Sequence, residues 1–322
     1  MINIFYYIRF YILLWFTKTF NKEILNKIEK DGYDLVFHDE FNNSILDTDK
    51  WSTHGHCGYI KDGVAWMPEQ VSTKGSNCIL TTDKYAGVNP VVDLDGITKY
   101  IDNVSGMVCS YPAYKKKCGY FEIRAKIPPK GIKYWPAFWL LPSESWPPEI
   151  DIFEFMAPED SKRMTMTYHW LDDEKNKDKI VELIIQCYTK KLIPNIPKTI
   201  NDAIKLLQQP LWSKEKQDYI DAIIKLRIHK MCGSGLSGYN FSKKYHTYAI
   251  NWEPNRITWY FDNIAVFTLK ENQWVNFDKK IKLPEYSMYV IINSGACPGY
   301  KFKDNEIPMD MFVDYCRVYA ES

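Results

Sequence analysis

From about Tyr33 onward, apolar and polar residues alternate in short runs separated by turn residues. Clear cases are Gly119–Ile127 (GYFEIRAKI), Tyr245–Trp252 (YHTYAINW), Arg256–Asp262 (RITWYFD), Met288–Asn293 (MYVIIN) and Phe312–Tyr319 (FVDYCRVY). In the first, Phe121, Ile123, Ala125 and Ile127 alternate with Glu122, Arg124 and Lys126. A period of two describes a half-buried strand with one wet face. Many such runs without regular helices between them predict an all-β chain, two antiparallel sheets packed as a sandwich.

Two stretches break the pattern. From Asp172 to about Ser237 the chain is rich in Lys and Ile and its period lengthens. Ile180, Leu183, Ile184 and Cys187 space as one helix face, and so do Tyr219, Ile220, Ile223, Ile224 and Ile228 within Lys214–Met231. Ser213 suits the start of that second helix and Gly233 its end. The region, about 172–237, therefore predicts a helical insertion between two strands. The other stretch is the N-terminus. Ile2–Phe16 is apolar apart from Asn3 and Arg9. It reads either as a signal or anchor segment or as a helix packed on the domain. A basic n-region and a small-residue cleavage site are missing, and the run is short for a spanning helix. The chain thus divides into an N-terminal apolar segment (1–30) and one β-rich domain (31–322).

Composition narrows the function classes. Lys and Arg number 41 against 40 Asp and Glu, a net charge of +1, which argues against a nucleic-acid binder working through bulk electrostatics. Contact with a membrane is expected only through residues 1–20, and with secretion or anchoring outside the cell as its consequence. Aromatic residues reach 16%, which suits both pleated sheets and surfaces that stack on sugar rings. The eight cysteines are scattered without a C-x-x-C pair. They support no zinc or thioredoxin-like site and read mainly as buried thiols.

The most informative segment is Trp146-Pro-Pro-Glu149-Ile-Asp151-Ile-Phe-Glu154-Phe155. Its carboxylates stand at i, i+2 and i+5. In a regular strand Glu149 and Asp151 share a face and Glu154 points away. A β-bulge of one residue returns Glu154 to their side and leaves Ile150, Ile152 and Phe155 for the core. Three acids on one face repel one another, which a purely structural strand has no reason to accept. A glycosidase has one, because it needs an ionised carboxylate and a protonated carboxylic acid on either side of a glycosidic bond. With the bulge, the Glu149 and Glu154 Cα atoms are about four strand steps, roughly 13 Å, apart. Side chains leaning inward can close that gap towards the roughly 5–5.5 Å of retaining enzymes. Asp151 between them can hydrogen-bond Glu149 and tune both acids. A solvated acidic edge or a Ca2+ cluster is the alternative, and the flanking Ile, Phe and Trp speak against it.

WPPEIDIFE resembles the signature of glycoside hydrolase family 16 in its bulged E-x-D-x-x-E form, that of laminarinases, agarases and carrageenases. The likeness extends to HDEFN near residue 40, Trp51, GYFEIRAKIP, WPAFWLLP, YHTYAINW, ITWYFDN and the closing VDYCRVY. The resemblance implies a β-jelly roll with an open cleft, Glu149 as nucleophile, Glu154 as acid/base and Asp151 as helper. In Trp135-Pro-Ala-Phe-Trp139, alternation puts Trp135, Ala137 and Trp139 on one face and Phe138 and Leu140 on the other. If the tryptophan face is the cleft, both indoles are sugar-stacking platforms. His169, Arg124 and His246 are further candidates for that groove. No cofactor is required for such chemistry, but the resemblance implies that a structural Ca2+ is often held, with Asp314 in the position of one ligand and Glu40 near the other expected contact.

The expected activity is a retaining endo-glycosidase on a β-linked polysaccharide, foremost a β-1,3-glucan, acting as a monomer. The resemblance leaves open a β-galactan hydrolase of the agar or carrageenan type and a transglycosylase. From another class comes a non-catalytic glucan-binding protein, although such relatives typically lack the acids. Asn293-Ser-Gly-Ala-Cys-Pro-Gly lacks the Trp that laminarinases often carry there, and the insertion is atypical.

Overall fold

The alternating runs become strands of two sheets. The computed structural model describes residues 32–53, 60–61, 63–92, 98–128, 134–143, 146–155, 163–171, 229–237, 239–275, 279–297 and 299–321. The N-terminal apolar segment and most of the expected insertion lie outside the described residues. Among the described residues, helical structure is confined to two short 3-10 turns, and no helix is long and apolar enough to cross a membrane.

One sheet has six antiparallel strands, in the order His229–Ser237, Arg163–Leu171, Glu149–Glu154, Ala137–Pro142, Met288–Asn293, Met107–Cys109. The other has eleven and centres on Gly119–Lys126, between His246–Glu253 and the long closing strand Met309–Glu321. Its pairings are antiparallel except for Val64–Trp66 beside Asn103–Ser105. Phe121, Ile123, Trp252, Trp259 and Val318 from the larger sheet meet Phe138, Leu140, Ile150, Phe153 and Ile292 from the smaller, all at most 1% exposed. Burying such large apolar side chains between two sheets is the main force closing the sandwich.

The outward face of Gly119–Lys126 is less wet than alternation implies. Glu122 is buried and accepts hydrogen bonds from the hydroxyls of Tyr120 (3.1 Å) and Tyr315 (2.7 Å). Burial pushes its carboxyl pKa up, and the two hydroxyls only partly offset this.

The helical insertion needs correction at its C-terminal end. His229–Ser237 is a strand, paired with Arg163–Leu171 along its whole length. Gly233 therefore closes no helix and sits mid-strand opposite Thr167. The physical reason is a period of two in the segment itself: Cys232, Ser234 and Leu236 are half-buried, while Met231, Gly233, Gly235 and Ser237 are exposed. Cys232 and Leu236 pack on the main core. Weak alternation of small residues was masked by the stronger helical spacing just before it. A side chain at position 233 would also crowd the neighbouring strand, because a Cβ there would lie 2.5 Å from the Met166 carbonyl oxygen.

Candidate active site

The acidic strand carries the expected bulge. On one side Phe138 faces Phe153 and Trp139 faces Asp151, which leaves Ile152 as the extra residue. On the other side Asp151 faces Thr167 and Glu154 faces Thr165. Ile150, Ile152, Phe153 and Phe155 all reach the core. The bulge puts two consecutive apolar residues, Ile152 and Phe153, inside, and so brings Glu154 to the face of Glu149 and Asp151. All three acids line one cleft on the six-stranded sheet. The cleft encloses about 560 Å³, part of it open solvent.

Each acid has a distinct setting. Glu149 is half-buried, accepts the Trp146 indole N–H at Oε2 (3.0 Å), and has His169 Nε2 3.7 Å from Oε1. Asp151 is 1% exposed, and its Oδ2 lies 3.0 Å from His169 Nε2. Its backbone carbonyl accepts the indole N–H of Trp259 (2.8 Å), which crosses from the opposite sheet. Glu154 accepts the Trp135 indole N–H (3.0 Å), while Thr165 Oγ1 donates to its backbone carbonyl (3.1 Å). Desolvation pushes the Glu154 carboxyl up to about 8, and the nearby charges of Asp151 and Glu149 push the same way. The Trp135 hydrogen bond and the His169 charge oppose the rise without cancelling it. One acid can thus hold a proton near neutrality beside two other carboxyl groups, the condition for general acid chemistry.

Trp135, Ala137 and Trp139 line the cleft, and Phe138 and Leu140 are fully buried in the core. The Trp139 indole N–H donates to Asn293 Oδ1 (2.7 Å), which holds it against the cleft wall. His169 is half-buried directly across from Glu149.

Three other candidates lie elsewhere. Arg124, on the larger sheet, forms an ion pair with Asp314 and stacks on the Tyr245 ring at 4.7 Å. His246, 3% exposed on the same sheet, packs on Phe261 and contacts Asp262 Oδ2 through Nδ1 (2.8 Å). Both therefore miss the groove, because strand alternation cannot reveal which sheet a run joins. Asp314 is the third. Its carboxylate is engaged by Arg124, and Glu40 is held by Arg317 through two hydrogen bonds (2.9 and 2.7 Å). A Ca2+ at Asp314 would sit beside a guanidinium, so the residues as arranged do not fit that ion.

Several cleft residues carry no local signal in the sequence. Trp66, from the edge of the larger sheet, lines the cleft and donates to the Ser294 carbonyl (3.0 Å). Trp146 precedes two prolines and gives no hint that its N–H reaches Glu149. Trp259 reads as an ordinary core residue. The Trp66 and Trp259 contacts join residues 228 and 108 apart and exist only once the sheets have paired, while the Trp146 contact spans the turn into the acidic strand.

The model of the family described as glycosyl hydrolases family 16 matches residues 61–186 and 209–311. Glucan endo-1,3-beta-glucosidase A1 of Niallia circulans is 23% identical over 312 residues, which cover 90% of this chain and 38% of that protein. Keratan-sulfate endo-1,4-beta-galactosidase of Sphingobacterium multivorum is 26% identical over 310 residues, covering 89% of this chain and 55% of that protein. The chain thus spans between about two fifths and just over half of these relatives' own lengths. SCLam, a non-specific endo-beta-1,3(4)-glucanase from family GH16, superimposes with a TM-score of 0.61 at 22% identity, over 91% of this chain and 92% of that one. That likeness speaks for the jelly-roll-like fold alone. The family match extends over well more than half of the 322 residues and includes the whole acidic strand, so the chain belongs to glycosyl hydrolase family 16.

Proposed function

We propose that this family 16 glycosidase is a retaining endo-hydrolase of a neutral β-1,3-linked glucan. Glu149 is the nucleophile, Glu154 the acid/base and Asp151 the residue between them that modulates both. The observation that carries the reading is the asymmetry of the two outer acids. Each accepts one indole N–H at 3.0 Å, but Glu154 is desolvated and holds its proton beside its like-charged neighbours, whereas Glu149 has His169 Nε2 3.7 Å from its other oxygen, Oε1. In the first step Glu149 attacks the anomeric carbon while Glu154 gives its proton to the departing glycosidic oxygen, and a glycosyl–enzyme ester forms. In the second, Glu154 takes a proton from water, which displaces Glu149 and restores both groups. Trp135 and Trp139 supply flat apolar faces for pyranose rings. The polymer's size calls for export or surface attachment, for which residues 1–20 are the candidate segment.

The choice of a neutral glucan rests on the cleft lining. Among its described residues are three tryptophans (Trp66, Trp135 and Trp139), small apolar residues and three acids, but no Lys or Arg. Sulfated polymers would face uncompensated repulsion from Glu149 and Asp151. A galactan substrate is the second reading, favoured by the likeness to the keratan-sulfate galactosidase. Reducing-end release from laminarin, lichenan, agarose, carrageenan and keratan sulfate tests both. The expected result is fastest release from laminarin with retained anomeric configuration by NMR. Preference for a sulfated galactan, or an inverted product, refutes the proposal.

The pH dependence follows from Glu154. Glycosylation needs it protonated, so kcat/KM should fall as pH rises through about 8. The acidic limb belongs to the coupled acid cluster as a whole. The same shift has a sign for stability. A carboxyl whose folded pKa lies above its unfolded value binds more protons when folded, so raising the pH from the ordinary Glu range through about 8 destabilises the fold. Glu154→Gln removes that penalty, and its thermal midpoint should gain on the wild type as pH rises to 9. A rate flat from pH 4 to pH 9, with no relative gain for Glu154→Gln, would show that Glu154 does not titrate in this window.

A further inference from the structure

We infer that Glu149, Asp151 and His169 form a binding site for a divalent transition ion of the zinc type, which switches the enzyme off. The inhibitory half of this inference rests on the role proposed for Glu149, and the binding half does not. One ligand atom from each residue lies within 4.8 Å of the other two. His169 Nε2 stands 3.0 Å from Asp151 Oδ2 and 3.7 Å from Glu149 Oε1. A tetrahedral zinc with bonds of about 2.0–2.1 Å sets its ligand atoms roughly 3.3–3.4 Å apart. The two His169 separations bracket that value and need shifts of only a few tenths of an ångström, while the Glu149 and Asp151 oxygens, within 4.8 Å of each other, close the rest by side-chain rotation.

The ligand set is also held in place. The Asp151 main chain is anchored by the Trp259 indole from the opposite sheet. Glu149 Oε2 is occupied by the Trp146 indole, which turns Oε1 towards His169. His169 stands directly across from Glu149, and Asp151, two residues on from Glu149, faces Thr167 on the same neighbouring strand, so strand pairing fixes where all three ligands sit. Two carboxylates cancel the charge of the ion and lose their mutual repulsion when it binds. One imidazole nitrogen with two oxygens suits zinc or copper(II) and falls short of the six to eight oxygens that calcium takes. Glu149 and Asp151 both line the open cleft, from which an ion can enter.

Binding there would take the Glu149 oxygen that must attack the sugar, so the ion and the glycan should exclude each other. The experiment titrates the full-length protein with Co2+ and Zn2+, and follows the visible bands of tetrahedral Co2+ and the heat of Zn2+ binding. One Co2+ per chain is expected to give those bands and to be displaced by Zn2+ and by a laminari-oligosaccharide. His169→Ala and Glu149→Gln should each weaken binding roughly a hundredfold or more, since even groups behind metal ligands are worth 10–100-fold. Both variants are checked by thermal melting, and each serves if the other fails to fold. His54, His56 and Cys57 are near one another in the sequence, and any metal they bind would be unaffected by either substitution. Equal affinity in wild type and variants, or no tetrahedral bands up to millimolar Co2+, overturns the inference. Because the bands are read without substrate, metal binding in a protein that cleaves no glycan would leave the site standing and refute the functional reading instead.

Discussion

Glu149→Ala is expected to lower kcat/KM by on the order of 10⁴- to 10⁶-fold, as loss of a nucleophile commonly does. No glycosyl–enzyme ester should then be trapped by a fluorinated sugar. Glu154→Ala should behave differently. On natural glucan it loses about 10²- to 10⁴-fold, the usual worth of a positioned general acid. On an aryl glycoside whose leaving group needs no proton, the ester still forms and then accumulates, because no base activates water. Azide should rescue that variant and leave a β-glycosyl azide, since a small anion enters the space vacated by the carboxylate and needs no deprotonation. The distinction depends on the environments described above. Glu154 lies where burial and two neighbouring acids keep its proton on. Glu149 lies under an indole N–H and beside His169. If Glu149→Ala were the variant that azide rescues with retained configuration, the two roles would have to be exchanged.

Trp135→Ala should lower kcat/KM with a large part of the loss in kcat. Its ring lines the cleft and its N–H reaches the Glu154 carboxyl at 3.0 Å, so it acts on both the sugar and the acid. Removing a sugar platform weakens ground-state and transition-state binding together, whereas disturbing the acid affects the transition state alone. Trp135→Phe separates the two effects. Phenylalanine keeps an aromatic face but donates no hydrogen bond. The bond from Trp135 lowers the Glu154 pKa, so its loss should move the alkaline limb of kcat/KM to higher pH. Binding of a short oligosaccharide should weaken only modestly in the Phe variant. Should both variants unfold at much lower temperature with unchanged activity per folded molecule, Trp135 would be a packing residue and no more.

Period-two alternation is a local property, and what depends on it alone was legible in the sequence. The all-β sandwich, the bulge in Glu149–Glu154 and the division of Trp135, Ala137 and Trp139 from Phe138 and Leu140 all follow from which side of a pleat a residue occupies. A one-residue error in register would turn a buried Phe outward, so the pattern admits little latitude. Alternation does not say which strands become neighbours. Arg124 and His246 alternate correctly yet belong to the sheet away from the cleft. Asp314 stands in the expected motif, but Arg124 takes its carboxylate. The strand at His229–Ser237 is made of small residues whose burial depends on its partner, and its own signal was weaker than the helical spacing before it. Trp66, Trp146 and Trp259 are placed by contacts across the sandwich or across a turn. The raised pKa of Glu154 arises in the same way, because desolvation and the charges of two neighbours act through space. The sequence therefore determined which side chains could share a face, through the geometry of one strand. Tertiary structure decided which faces meet, how dry each acid becomes and which of them keeps its proton, because those depend on distances between segments that the chain order leaves open.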